Sequence, residues 1–208
     1  MIYTKKDISK LDRITRLKII NSVSGIKPAN LIGTINTQGK TNLAIFSSIV
    51  HLGSDPALLG FISRPETPEV GHTLRNIKAN KVYTINHVHS NFTKKAHYTS
   101  AKFDANISEF ERCNLTEEYV NDFEAPFVKE SHFKLGMRFK EAIDIKLNGT
   151  TLVIGEIEQL IIPDTAIVDG DINLEATDSV GISGLNSYYS LKKIANYPYV
   201  RLHEVPEL

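Results

Sequence analysis

Between Gly39 and Arg75 the chain brackets its apolar runs with groups that can hydrogen-bond or carry charge. Asn42 opens the run Leu43-Ala44-Ile45-Phe46, and the hydroxyls of Ser47 and Ser48 close it. A strand that only fills a core gains nothing from such ends, because buried polar groups cost free energy unless they are bonded. A second apolar run, Ala57-Leu58-Leu59-Gly60-Phe61-Ile62, delivers Ser63-Arg64-Pro65, and a helical pattern follows from His72 through Thr73, Asn76 and Ile77. Two consecutive strands thus release hydroxyls and an arginine toward one place, with a helix start behind them. That set suits a phosphate and the polar edge of a ring: a guanidinium offers a charged fork, and uncapped helix amides attract an anion. Thr73 reads as the cap of this helix, serving either the helix alone or an anion at its end.

Other chemistries find less support. His87 and His89 would place two rings on one side of a strand, but no acidic or cysteine cluster stands at ligand spacing, so they read as a polar strand face. No Gly-x-Ser-x-Gly is present, and Cys113, the single cysteine, has no nucleophile signature around it. Gly181 and Gly184 follow no βαβ pattern and so make no dinucleotide fingerprint.

The elements that must position these groups belong to a chain of 208 residues, enough for one domain with its own core. Lysine plus arginine equals aspartate plus glutamate at 24 each, which argues against a nucleic-acid partner. One cysteine fits a reducing compartment, and no apolar run reaches membrane-spanning length or looks like a signal peptide. The expectation is a soluble cytoplasmic protein with one domain over 1–208: a helical segment at 1–25, a barrel core with a helical excursion at 26–163, and a loop and tail at 164–208.

Ile8, Leu11, Ile14, Leu17 and Ile20 share one face of a predicted helix that Gly25 and Pro28 stop. That face either covers one barrel end or packs across a partner subunit. From Ala29 the pattern shifts to strands at 31–35, 43–50, 57–62 and 82–85, joined by connections too short for parallel crossovers. A helix over 73–79 interrupts them, and residues 91–123 read as one or two short helices in a polar excursion. Asn148-Gly149 predicts a two-residue hairpin turn that sets Leu147 opposite Thr150, Ile145 opposite Leu152 and Ile143 opposite Ile154. The same register sets Glu141 against Glu156, so that end should be irregular or at the rim. Residues 163–184 read as a loop. The pattern as a whole is mainly β with helical elaborations, an antiparallel barrel whose closure removes strand edges.

The order Asn42-Leu43-Ala44, Phe46-Ser47-Ser48, Asp55-Pro56, Ser63-Arg64-Pro65 and Thr73-Leu74-Arg75-Asn76-Ile77 resembles the flavin reductase-like, FMN-binding split-barrel family that includes flavoredoxins. Ser108-Glu109-Phe110, Asn114-Leu115-Thr116, Ala125-Pro126-Phe127-Val128 and Gly184-Leu185-Asn186-Ser187-Tyr188-Tyr189 continue the resemblance, which runs from about Leu17 to Tyr199. Ile45 stands where the family often has proline and His72 where it often has an acidic residue. The resemblance implies a Greek-key split barrel binding FMN and forming a homodimer. It implies cofactor contacts from the main chain of Ala44, Ile45 and Phe46 and from Asn42, Ser47, Ser48, Ser63, Arg64, Thr73, Asn76, His97, Asn186 and Tyr188. The flavin would carry the redox chemistry, so no side chain need be catalytic. NADH or NADPH would be the electron donor; an FMN electron carrier with a redox protein partner and a flavin-storage protein are the alternatives.

Overall fold

The computed structural model describes residues 1–67 and 70–206. Two helices, α1 (Lys5–Lys10) and α2 (Arg13–Ser22), replace the single one predicted. The break follows from Asp12 in the middle of the apolar pattern: its carboxylate accepts from the amides of Ile14 and Thr15, both at 3.0 Å, and so starts a new helix. No residue of either helix is buried, and Ile14, Leu17 and Ile20 stay exposed. Within one chain, therefore, this face does not bury itself over a barrel end.

After the two-residue β1 (Lys27–Pro28) come β2 (Asn30–Ile35), β3 (Thr41–Phe46), β4 (Val50–Ser54) and β5 (Ala57–Ser63). The β2–β3 turn forms because Asn36 Oδ1 accepts from the amides of Gln38 and Lys40 and Gly39 takes a φ of 81°. Helix α3 (His72–Asn80) and β6 (Val82–His87) follow, then the short helices α4 (Thr93–Tyr98) and α5 (Glu109–Arg112) of the excursion. The two-residue pair β7 (Glu117–Glu118) and β8 (Phe127–Val128) precedes the long hairpin of β9 (Lys134–Ile145) and β10 (Thr150–Ile161). The stretch read as a loop contains the small ladder β11 (Ile167–Val168) and β12 (Asp171–Ile172), and β13 (Val180–Ser183) with β14 (Ser187–Ser190) joins β1 in a separate three-stranded sheet.

The main sheet is antiparallel with order β3-β2-β6-β9-β10-β5-β4. Its two edge strands, β3 and β4, are consecutive in the chain and joined by residues 47–49 alone. So short a link forces the sheet to roll until its edges meet. Two contacts hold the approach: Ser48 Oγ accepts from Ile62 N at 3.0 Å, and Phe46 meets Phe61 edge-on with centroids 5.0 Å apart. The roll is not a closed ladder, however. The predicted strand over 43–50 breaks at Ser47, whose neighbour Ser48 spends its hydroxyl on β5, and β3 remains an edge.

Ile32, Phe61, Tyr83, Ile85, Met137 and Val153 fill the inside of the roll, while Leu31, Leu43, Val88, Phe92 and Phe110 form an outer layer beneath α4 and α5. Burial of these side chains contributes roughly 1.5–3 kcal/mol each before entropy. Gly33 is required where residues 125–128 cross β2, since a Cβ there would collide with the Pro126 carbonyl and lie 2.6 Å from Thr84 Oγ1.

The hairpin register differs from prediction. Ile145 pairs with Thr150, so the loop is the four residues 146–149, with Gly149 at φ 72° and its amide bonded to Ile145 O at 2.9 Å. The shift is two residues, which leaves the side-chain alternation as expected from the loop up to Ile154. Ile143, Leu152 and Ile154 still share a face, but it is the outward, half-exposed one; Ala142, Thr151 and Val153 alternate inward. Glu141 now meets Ile154, an irregularity follows at Ile154/Gly155, and Glu156 pairs with Lys140 at 2.5 Å. The like-charge contact is thus avoided by the two-residue register shift, and the irregularity follows beyond it.

His87 and His89, expected on one polar strand face, part company: His87 ends β6 and His89 lies beyond it. His87 stacks on Phe133 with centroids 3.9 Å apart, and His89 is fully buried. His89 Nε2 accepts from His132 N at 3.1 Å, so the proton sits on Nδ1, which has no partner among the described residues. Thr177 donates to Leu174 O, so Ser179 must donate to Thr177 and accept from His87 Nδ1. These contacts fasten the start of β13 to β6. Burial pushes both imidazoles down to about 4; repulsion between charged forms of the two rings works in the same direction on His87, and His132 and Lys134 do so on His89 against an opposing Asp178. A depressed histidine pKa means that the unfolded chain takes up protons first. Stability is therefore whole above the unfolded value near 6.5 and falls as pH drops toward 4, by on the order of 1 kcal/mol per pH unit for each group. Urea midpoints measured between about pH 7.5 and about pH 5 should fall accordingly, and His89→Gln should flatten the slope; an unchanged slope would mean that these rings are not the titrating groups.

Candidate functional site

Edge strand β3 is the spine of the site: α3, α4 and α5 all pack against it. Leu43 N donates at 2.9 Å to Glu109 Oε2, which comes from α5 and not from β2. In an antiparallel ladder the outward and paired residues alternate, so Thr41, Leu43 and Ile45 turn their main-chain groups to the free edge and Asn42, Ala44 and Phe46 turn theirs to β2. The first part of the edge is sealed. Thr41 Oγ1 donates to Glu117 Oε1 at 2.5 Å and accepts from Ser108 at 2.7 Å, while buried Glu109 covers Leu43. Burial raises the Glu109 carboxyl above its ordinary range, and the Leu43 amide pulls it back. Ile45 is left with an outward N–H and C=O. Of residues 44–46, only Ile45 turns its main-chain groups to the free edge.

At the start of β3 the predicted residues Asn42, Thr73 and Asn76 converge. Asn42 Nδ2 donates to Thr34 Oγ1 at 3.3 Å and to Thr73 Oγ1 at 3.2 Å, and Asn76 Nδ2 donates to Thr34 Oγ1 at 3.0 Å. Thr73 is therefore not the cap. That position is Gly71, at φ 94°, with no side-chain bond to the first turn, because a left-handed turn there leaves the threonine inside the helix. Among the described residues, then, no side chain caps the positive end of α3. Beside it is a polar cleft of about 270 Å³ lined by Lys40, Asn42, His72, Arg75 and Asn76. Burial, then the nearby Arg75 charge, lowers the pKa of His72 against an opposing Asp104, so His72 meets the cleft as a neutral ring. Arg75 is tied to Val70 O at 2.9 Å and lies 3.8 Å from Glu66.

At the other end of β3, Ser48 Oγ is committed to Ile62, and buried Ser63 donates to Arg64 O at 3.3 Å. Half-buried Ser47 makes no hydrogen bond and exposed Arg64 no ion pair among the described residues. His97 and Tyr188, ninety-one positions apart, meet with Nδ1 to Oη at 3.1 Å and rings nearly perpendicular. Tyr188 packs on the same outer-layer cluster as Ile45, and burial pushes its phenol up to about 12, so it is a neutral hydroxyl. Asn186 stands apart from this pair: it is exposed and lines a separate cleft with Leu17, Lys18 and Ser22 of α2.

Sequence reasoning missed Thr34 and Glu109. Thr34 carries no signal until the β2–β3 register sets it opposite Asn42. Glu109 lay within a motif used for the resemblance, but its spacing says nothing of Leu43, sixty-six residues away.

Residues 26–171 match the family described as the flavin reductase like domain. A crystal structure from Shewanella frigidimarina NCIMB 400, of a candidate flavin reductase with a split barrel domain, is 49% identical, covers 96% of this chain and 100% of its own, and superposes with a TM-score of 0.92. The flavoredoxin of Desulfovibrio vulgaris (Miyazaki F) is 19% identical over 84% of this chain and 92% of its own, with a TM-score of 0.72. An NADH:FAD oxidoreductase of Streptomyces globisporus is 10% identical over 93% of this chain and 98% of its own, with a TM-score of 0.69. The chain belongs to the flavin reductase-like family, as a flavin-binding oxidoreductase of split-barrel fold.

Proposed function

We propose that the protein binds FMN along the open edge of β3 and oxidises NADH or NADPH, passing the electrons to flavin. The carrying observation is the main chain of Ile45, the outward position that Glu109 and Glu117 leave open on β3. A flavin ring edge has fixed donors and acceptors, and one outward N–H and C=O match such a pattern. The start of α3 and Arg64, which among the described residues have no capping side chain and no ion pair respectively, are the two candidate phosphate holders, with Ser47 toward the polar chain between ring and phosphate. When bound, flavin supplies hydride acceptance and electron release; the residues here bind it, orient it and limit water around it.

His97 holds Tyr188 as a flat cover following the Gly184 turn, so Tyr188 serves as a movable wall that admits nicotinamide. No helix among the described residues is long and apolar enough to cross a membrane. We place the protein in the cytoplasm as a twofold homodimer, a reading supported by the uncovered apolar face of α2. The second reading is an FMN electron carrier serving a redox protein, favoured by the structural likeness to a flavoredoxin.

The purified protein should be yellow and release FMN on denaturation, and anaerobic NADH or NADPH should bleach it within turnover time. Bleaching by dithionite alone would move the assignment to the carrier, and absence of FMN binding would defeat both. Arg64→Ala should weaken FMN roughly tenfold or more while leaving riboflavin nearly unchanged, as loss of a charge-assisted phosphate bond requires. Equal losses for the two ligands in fluorescence titrations would pass the phosphate role to α3.

A further inference from the structure

Leu191 is half-buried and packs near Gly181. Every described residue from 192 to 206 is exposed, and 192–200 form neither helix nor strand. Yet this arm carries large apolar groups: Ile194 is 99% exposed, Tyr197 81%, Tyr199 89% and Leu202 92%. Nine extended residues reach about 30 Å, enough to cross another subunit. An arm of this composition gains nothing by remaining in water, since apolar burial is what offsets the entropy of ordering a chain.

The same chain offers a matching surface. On the outward face of β4, β5, β10 and β9, Leu52 and Leu152 both lean over Gly60, and Val50 and Ile143 are nearly half exposed. Glu141 lies in the same row, since it pairs with Ile154 and Ile154 with Gly60, and it has no ion pair among the described residues. The arm begins with Lys192-Lys193, which complements that carboxylate. The apolar face of α2 is the poorer dock for the same arm, because Arg13, Arg16 and Lys18 surround it.

We propose that residues 192–206 of one copy lie across the outward face of the β9–β10 hairpin of a second copy, and that the exchange is reciprocal. The inference rests on the homodimer reading and names the element that holds the dimer together. Because the arm continues directly from β14, which carries Tyr188, its docking also anchors the wall of the site to the partner.

The test uses the full chain, digested briefly with trypsin at micromolar concentration and again after dilution, with masses read for cuts at Lys192, Lys193 and Arg201. Beside it runs the full-length double variant Ile194→Asp/Tyr199→Asp, whose substituted positions are exposed and do not support the fold. The natural chain should give twice 23.3 kDa by light scattering and the variant 23.3 kDa. Arm cleavage should be roughly tenfold slower in the undiluted natural chain than in the variant, since cutting follows the undocked population. A variant that stays at twice the chain mass, or an arm cut equally fast in both, overturns the docking and leaves the homodimer standing. A natural chain that remains at 23.3 kDa at every concentration overturns both.

Discussion

One hydrogen bond organises this molecule's chemistry: the amide of Leu43 given to the buried carboxylate of Glu109. An edge strand presents a row of unpaired donors and acceptors that invites another chain. Closing the ladder would remove that row together with any place for a ligand's polar edge. Here the closure is incomplete and side chains finish the work, Thr41 going to Ser108 and Glu117 and Leu43 to Glu109. What remains outward is Ile45, bounded on one side by the start of α3 and on the other by Ser47 and the β5 exit at Arg64.

The three-residue passage from β3 to β4 is the second constraint, and it acts with the first. Because it draws opposite edges of the sheet together, it brings the end of β5, and hence Ser63 and Arg64, to the end of β3. In the proposed reading the cofactor is therefore held by strand ends and a helix start. Such a design fits a protein whose reactive group is the cofactor itself.

Much of this was legible in the chain. The polar brackets around residues 43–46 marked β3 as more than core, and the short connections implied an antiparallel sheet, since hydrophobic period and turn chemistry are local signals. Asn148-Gly149 marked the hairpin, but the choice between a two-residue and a four-residue loop depends on bulges and ion pairs such as Lys140–Glu156, which no local signal encodes. The polar pattern of His87 and His89 suggested a wet strand; Phe133, Ser179 and His132, all distant in sequence, bury it. Asp12 had a capping residue's chemistry, yet the apolar spacing around it outweighed that signal. Thr34 and Glu109 matter only through register and long-range contact, which single residues do not announce.

The central claim is that flavin occupies the open part of the β3 edge, at Ile45. Amide hydrogen exchange read residue by residue, without and with FMN, tests it most directly. Leu43 should be protected in both states through Glu109, whereas Ile45 should exchange quickly alone and become protected when FMN is added. An Ile45 amide whose exchange is indifferent to FMN, in a protein that demonstrably binds it, would contradict the account.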